Sequence, residues 1–481
     1  MKSLLLIVCL LCMGSARVLC QEGYTPRIEP GACQFKIGNG LITRCGYLVV
    51  PENRQKPNGR RIKIPFVYAR QPGMDSVRNV LLTTTGGPGY STLANFDSLR
   101  YNSDFFQFGG FIAFDQRGTK KSLPCLDCPE VGEAFKRAYR ENLSKDSLEL
   151  IAVKQCRQRL AAQGINLSAY NTIESAADIN DLRRALKLDS LTLFGISYSG
   201  GLMLTVARHH PEAVKALVLN SPLPGYVNYE EHALFNFNEA LNQVFDNVEA
   251  DSTHDARYAG LRERFHQYFT ALAGKRFNLR YATPGTTDSF TIRYGKHELT
   301  DAVIDRINTG QLKTVPFVMT DIINGNHAPY VREQVDGVFR GNQALSAGMR
   351  YSIYCSEQIA YADKALIKKQ DSILPWLAGH RFNNVNHPIC DCWQVKPEPA
   401  VAKTPVYSNV PALIAAGDAD PWCRPFYNRL IKRTMPNAQL IIVHNNGHGA
   451  RLMVNGVDFL KMFIANPLKK LVSPIKEVVV E

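Results

Sequence analysis

Three short segments, far apart in the chain, carry side chains that together could transfer an acyl group. They are Gly195-Ile-Ser197-Tyr-Ser199, Gly417-Asp-Ala-Asp420 and Gly447-His448-Gly449. A serine hydroxyl attacks a carbonyl only when a base removes its proton, and a neutral imidazole suits that near pH 7. A carboxylate must then fix the tautomer of the imidazole and stabilise its protonated form. Ser197 follows the apolar run Leu191-Thr-Leu-Phe194, and Gly195 is the small residue that a sharp strand-to-helix turn needs two positions before a nucleophile. Ser199 stands where a second glycine is usual and is the competing nucleophile. Asp420 and His448 come later, each after an apolar run, and stand 28 positions apart, room for one helix and one strand. Asp418 competes as the acid and His444 as the base. Order and spacing predict Ser197, Asp420 and His448 as nucleophile, acid and base.

A fourth segment completes the chemistry. Val80-Leu-Leu runs through three threonines into Gly86-Gly87-Pro88-Gly89, which ends regular structure abruptly. A tetrahedral intermediate carries an oxyanion, and each preorganised donor aimed at it contributes about 2.7–4 kcal/mol. One donor is expected from the amide of Tyr198, just after the nucleophile, and another from the loop that follows an early strand. Glycines there let backbone approach substrate with no Cβ in the way.

The elements that must position these groups follow from periodicity. Cys45–Val50 and Arg61–Tyr68 read as strands around the turn 51–59. Strands ending at Thr85 and at Phe114 come next, the second leading into Asp115-Gln-Arg-Gly118, a turn read as structural. Glu174–Lys187 has helical spacing, followed by strand Leu191–Phe194, helix Gly201–His209 and strand Ala216–Leu219. Alternation at this pitch predicts an α/β fold: a mostly parallel sheet with helices on both faces. The rhythm breaks after 220 and returns at Val410. The expected organisation is a leader at 1–20, the first part of the α/β domain at 21–220, a mainly helical inserted cap at 221–409, and its last part at 410–481.

These motifs as a set resemble the serine-peptidase family of prolyl and tripeptidyl aminopeptidases, which has the α/β-hydrolase fold. The resemblance runs from about Cys45 to the C-terminus. It implies Ser197, Asp420 and His448 as the triad and the amides of Gly87 and Tyr198 as the oxyanion hole. It also implies peptide substrates and no cofactor. Two positions depart from the family pattern: Thr85 stands where histidine is usual, and Ser199 where glycine is usual. An aminopeptidase needs a carboxylate for the free ammonium of its substrate, and the candidates are Glu357, Glu230 and Glu231. The other functions this sequence admits are a carboxylesterase acting on small esters and a non-catalytic binding protein on the same fold.

Composition narrows the setting. The chain has 481 residues, 45% hydrophobic and 21% charged, with a net charge of +13. The basic residues are scattered, and no stripe interleaved with aromatics points to nucleic acid. Met1–Gly14 reads as one lysine followed by a short apolar run, the pattern of a signal peptide, so export to the periplasm or beyond is expected. No later run reaches the length of a membrane span. Nine of the twelve cysteines lie beyond the leader and read mainly as disulfides, with at least one left over. The expected pairs are Cys33–Cys45 and Cys156 with Cys125 or Cys128, and Cys355, Cys390, Cys392 and Cys423 supply the remainder. The run His387-Pro-Ile-Cys390-Asp-Cys392 has no second ligand pair with zinc-like spacing, and no metal is expected there.

Overall fold

The computed structural model of the protein describes residues 24–75, 77–251, 256–308, 310–381 and 385–481. The leader expected at 1–20 lies outside the described residues. Among the described residues, ten strands form the main sheet. In chain order they are β1 (Arg27–Pro30), β2 (Ile42–Pro51), β3 (Arg61–Arg70), β4 (Val80–Thr84), β5 (Gly110–Phe114), β6 (Leu191–Ile196), β7 (Val214–Asn220), β8 (Ala412–Gly417), β9 (Ala438–Val443) and β10 (Val478–Val480). Across the sheet their order is β1-β2-β3-β5-β4-β6-β7-β8-β9-β10. From β5 to β9 every neighbouring pair is parallel. The flanking pairs β1–β2, β2–β3, β3–β5 and β9–β10 are antiparallel.

The parallel strands are covered on both sides, and their sequences show why. Every residue of β5 and β8 is buried, the near-continuous apolar run that a doubly covered strand requires. Successive side chains point to opposite faces. Leu217, Leu219, Ile414 and Ala416 therefore join one core, with Leu182 and Leu186 of helix Thr172–Leu186, Met203 of helix Tyr198–His209 and Ile431 of helix Pro425–Arg433. Ala216, Val218, Leu413 and Ala415 join another, with Phe459 and Phe463 of helix Phe459–Ala465.

Between β7 and β8 the chain is mainly helical. Helices Ala233–Ala250, Leu261–Ala271, Lys296–Ile304 and Val315–Ile323 share a third core with Tyr281 and Ile292 of a two-stranded hairpin, Phe277–Ala282 and Ser289–Tyr294. The hairpin is absent from the expectation of a helical insert. Its strands alternate buried or half-buried Phe277, Leu279, Tyr281, Phe290, Ile292 and Tyr294 with exposed residues, the pattern of a half-buried strand. Helix Lys145–Ala162, which precedes β6, packs with helices Ala347–Glu357 and His387–Trp393 in a fourth core around Trp393.

Among the described residues, three disulfides join Cys33 to Cys45, Cys128 to Cys156 and Cys355 to Cys390. Cys125, Cys392 and Cys423 are free. The expectation that Cys392 and Cys423 complete the bridges is corrected: Cys390 is held by Cys355, and Cys423 is buried beside Ser197.

Candidate active site

The turn between β6 and helix Tyr198–His209 is sharp enough to force Ser197 to φ 58° and ψ −128°. A non-glycine residue with positive φ is strained, and such strain persists only where the surroundings impose it. Here they are glycines. A Cβ on Gly195 would lie 2.5 Å from the Ser199 carbonyl oxygen, and one on Gly86 would lie 2.5 Å from that of Ile196 and 3.0 Å from Cβ of Ser197. The glycine loop therefore packs directly on the turn, which accounts for its composition.

Ser199 is not placed to compete. It is fully buried, and its hydroxyl accepts the amide of Ile196 at 2.9 Å and lies 2.8 Å from the carbonyl oxygens of Thr84 and Ile196. A serine in place of glycine thus pins the turn to the end of β4. The other departure is also tied in. The amide of Thr85 donates to the Thr92 hydroxyl at 2.9 Å, its carbonyl accepts Gln116 Nε2 at 2.8 Å, and its hydroxyl accepts Asn95 Nδ2 at 3.2 Å. Asp115 steadies the loop further on, accepting from the Ser91 hydroxyl and the Leu93 amide at 2.9 Å.

The predicted acid and base meet. His448 Nδ1 lies 2.9 and 3.1 Å from the two carboxylate oxygens of Asp420, which is fully buried. Asp420 Oδ1 also accepts the amides of Trp422 and Cys423 at 2.9 and 2.8 Å. Burial alone would raise this carboxyl, but the imidazole and those amides hold it below the usual carboxylate range. The rivals pair with each other: His444 Nδ1 is 3.2 Å from Asp418 Oδ2, with the ring half-exposed. The carboxylates alternate along one chain end, so each finds its own imidazole.

The His448 segment is drawn to the Ser197 turn by a chain of hydrogen bonds through Asn220 and Ser221. The amide of Ser197 donates to the Asn220 carbonyl at 3.0 Å, Asn220 Nδ2 donates to the Ala450 carbonyl at 2.9 Å, and the Gly449 amide donates to the Ser221 hydroxyl at 3.1 Å. Cys423 closes the group. Its Sγ is 4.0 Å from Ser197 Oγ, and its sulfur and donor atoms of Asp420 and His448 all lie within 4.8 Å of one another. The Trp422 ring meets the His448 ring edge-on at 5.0 Å.

A pocket opens in front of Ser197, lined by Gly87, Pro88, Tyr198, Trp422, Cys423, Glu357 and Glu398 among others. Glu357 is buried, and its Oε1 accepts the amide of Thr172 at 3.0 Å as well as its hydroxyl. Glu398 is buried beside it and accepts the amide of Ile173 at 3.0 Å. Burial pushes the Glu357 carboxyl well above the usual carboxylate range, and the charge of Glu398 pushes the same way. The nearby Lys403 ammonium, pulled down to about 8 by burial, donates to the carbonyls of Gly225, Val227 and Glu357.

Glu230 and Glu231 are not among the residues that line this pocket. Glu230 is buried, with its carboxyl pushed up to about 8 by burial. Glu231 accepts the amide of Asp363, just before helix Lys364–Ile373. Sequence reasoning missed Glu398 and Lys403. Both sit in a proline-rich stretch without periodicity, brought to the site by long-range bonds such as that from the Glu398 amide to the Ser356 carbonyl at 3.0 Å and those from Lys403 to the carbonyls of Gly225, Val227 and Glu357.

Residues 80–451 match the family described as alpha/beta hydrolase fold. A curated relative, serine protease Hip1 of Mycobacterium tuberculosis, is 24% identical over 465 residues, 87% of this chain and 85% of that protein. Tripeptidyl aminopeptidase of Streptomyces lividans is 29% identical over 198 residues, 37% of this chain and 35% of that one. Putative hydrolase YuaR of Escherichia coli is 26% identical over 189 residues, with 37% and 35% covered.

Proposed function

The chain belongs to the alpha/beta hydrolase fold family, and from that premise we propose that it is an exported serine aminopeptidase. It releases proline, dipeptides or tripeptides from peptide N-termini through an acyl-enzyme on Ser197. Ser197 Oγ attacks the scissile carbonyl while His448 takes its proton, and Asp420 holds the ring and stabilises the imidazolium. The amides of Tyr198 and Gly87 receive the oxyanion. His448 then protonates the departing amine, and water attacks the acyl-enzyme by the same route in reverse. The names of the relatives, a serine protease and a tripeptidyl aminopeptidase, support peptide bonds as the target.

The observation that carries the exopeptidase reading is the buried carboxyl pair Glu357 and Glu398 in the pocket that also holds Ser197. Two desolvated carboxyls, faced by the weakened charge of Lys403 and, at Glu398, by Arg208, make the pocket a place where a further positive charge is favoured. A substrate ammonium supplies it, and its distance from Ser197 then sets the length of peptide released. Chromogenic prolyl, dipeptidyl and tripeptidyl amides, each with free and acetylated N-termini, test this beside short esters. Free amines are expected to be cleaved far better than their acetylated forms. Glu357→Gln is expected to raise KM for the free amines and spare the esters. Equal loss on both, or esters alone as substrates, would replace the aminopeptidase with a carboxylesterase.

A further inference from the structure

The inserted segment holds a second group of chemically matched side chains. His297 and Asp301 are one helical turn apart on Lys296–Ile304, so they share a face. His380 approaches them from the turn after helix Lys364–Ile373. His297 Nε2 is 3.2 Å from Asp301 Oδ2, and His380 Nδ1 is 3.1 Å from Asp301 Oδ1. One donor atom from each of the three lies within 4.8 Å of the other two.

Two features separate this group from an ordinary pair of imidazoles bonded to a carboxylate. The His380 side chain is only 6% exposed, yet its Nδ1 has no hydrogen-bond partner among the described residues, because its approach to Asp301 is misaligned. A buried ring nitrogen left so costs free energy unless something else satisfies it. His380 is also locked in place. Its amide donates to the Leu377 carbonyl at 3.0 Å, and Phe237 meets its ring edge-on at 4.7 Å. The second feature is separation of the donors. Zinc bonds of about 2.0–2.2 Å in a tetrahedron put neighbouring ligand atoms about 3.3–3.5 Å apart. Each imidazole is near that distance from one oxygen of Asp301, and one atom from each residue falls within 4.8 Å of the others, so an ion must draw the three donors together by about an ångström.

We infer that His297, Asp301 and His380 form a site for a divalent transition-metal ion of the zinc class, inside the cap and separate from the Ser197 pocket. The donor set, two imidazoles and one carboxylate, suits such ions and not the all-oxygen preference of calcium or magnesium. All three residues line an open cavity of about 890 Å³, which leaves the fourth position to water or an added ligand. Of the ammonium groups lining the cavity, Lys145 is matched by Glu298 at 3.1 Å and Lys296 donates to the Pro375 carbonyl at 2.6 Å. An ion here ties helix Lys296–Ile304 to the turn at His380 and stabilises the cap.

Purified full chain, stripped with a chelator, is titrated with Co²⁺ and with Zn²⁺. About one equivalent of Co²⁺ is expected to bind with visible d–d absorption and no thiolate charge-transfer band, and Zn²⁺ is expected to raise Tm as a ligand of the native state does. His380→Ala and the half-exposed, milder His297→Gln should each raise the dissociation constant at least about tenfold, since even indirect contacts to metal sites are worth 10–100-fold. No saturable binding, or binding undiminished in both variants, would overturn the site. So would a thiolate band together with lost fluorophosphonate labelling of Ser197, which would move the ion to Asp420, Cys423 and His448.

Discussion

Two serines two positions apart end in opposite roles because their hydroxyls meet different surroundings. Ser197 faces the pocket, whereas Ser199 is spent on the carbonyl of Thr84 and the backbone of Ile196. Ser197→Ala is expected to lower turnover about 10⁶-fold, as removal of one member of a cooperating triad does. Ser199→Ala should leave fluorophosphonate labelling of Ser197 in place and cost about 1–3 kcal/mol of stability, because the Ile196 amide is left buried without its acceptor. Chemical denaturation and probe labelling on the same two variants check both statements. A pH dependence follows from Glu357. Its carboxyl is raised by burial and by Glu398, so it ionises only as pH climbs above the usual carboxylate range. The ionised form binds ammonium, so KM for free-amine substrates should fall as pH rises. It should rise again once the substrate amine, with a pKa of about 7.7–8.0, loses its proton. N-acetylated esters, measured in parallel, should lack the first limb.

At the level of elements, helix Ala347–Glu357 matters most because Glu357 is its last residue. The ties at that end include the Cys355–Cys390 disulfide, the bond from Trp393 Nε1 to Ser352 Oγ at 2.9 Å, and the bond from the Glu398 amide to the Ser356 carbonyl. The disulfide closes a loop of 35 residues, and loops of that order lose about 3–4 kcal/mol of stability when opened. The double variant Cys355→Ser/Cys390→Ser should show that loss in urea titrations, with KM for free-amine peptides rising more than kcat falls. The sheet was legible at this scale because each parallel strand is a short apolar run bounded by turn residues, as in Leu191–Ile196 and Ala412–Gly417. The hairpin at 277–294 carries a legible signal too, exposed Asn278, Arg280 and Thr291 alternating with Leu279, Tyr281 and Ile292, but its two six-residue strands lie within an otherwise helical insert, and the expectation omits them. Glu398 was illegible, its place depending on contacts between stretches more than two hundred residues apart.

Across the whole molecule, the glycine-loop side of the sheet is held by a buried charge cluster that the Asp115–Gly118 turn announces in sequence. Arg117 is fully buried; Nε and Nη2 donate to the two oxygens of Asp178 at 2.8 and 2.7 Å, and Nη1 donates to the carbonyls of Glu52 and Ala169. Arg54 reaches the same Asp178 at 2.7 Å and Asp181 at 2.6 Å. This one cluster therefore joins the turn after β5, the end of β2 and helix Thr172–Leu186, whose first residue bonds Glu357. Taking one partner from a buried pair leaves an uncompensated charge and costs about 3–5 kcal/mol. Asp178→Leu should lose stability toward that scale, since Arg117 is left with only the longer approach to Glu174 at 3.4 Å while Arg54 keeps Glu174 and Asp181. The folded fraction should still label at Ser197 with a fluorophosphonate at nearly the wild-type rate, because the cluster touches neither Ser197 nor His448. If labelling of folded protein fell by an order of magnitude instead, the cluster would be setting the geometry of the glycine loop as well as holding the fold.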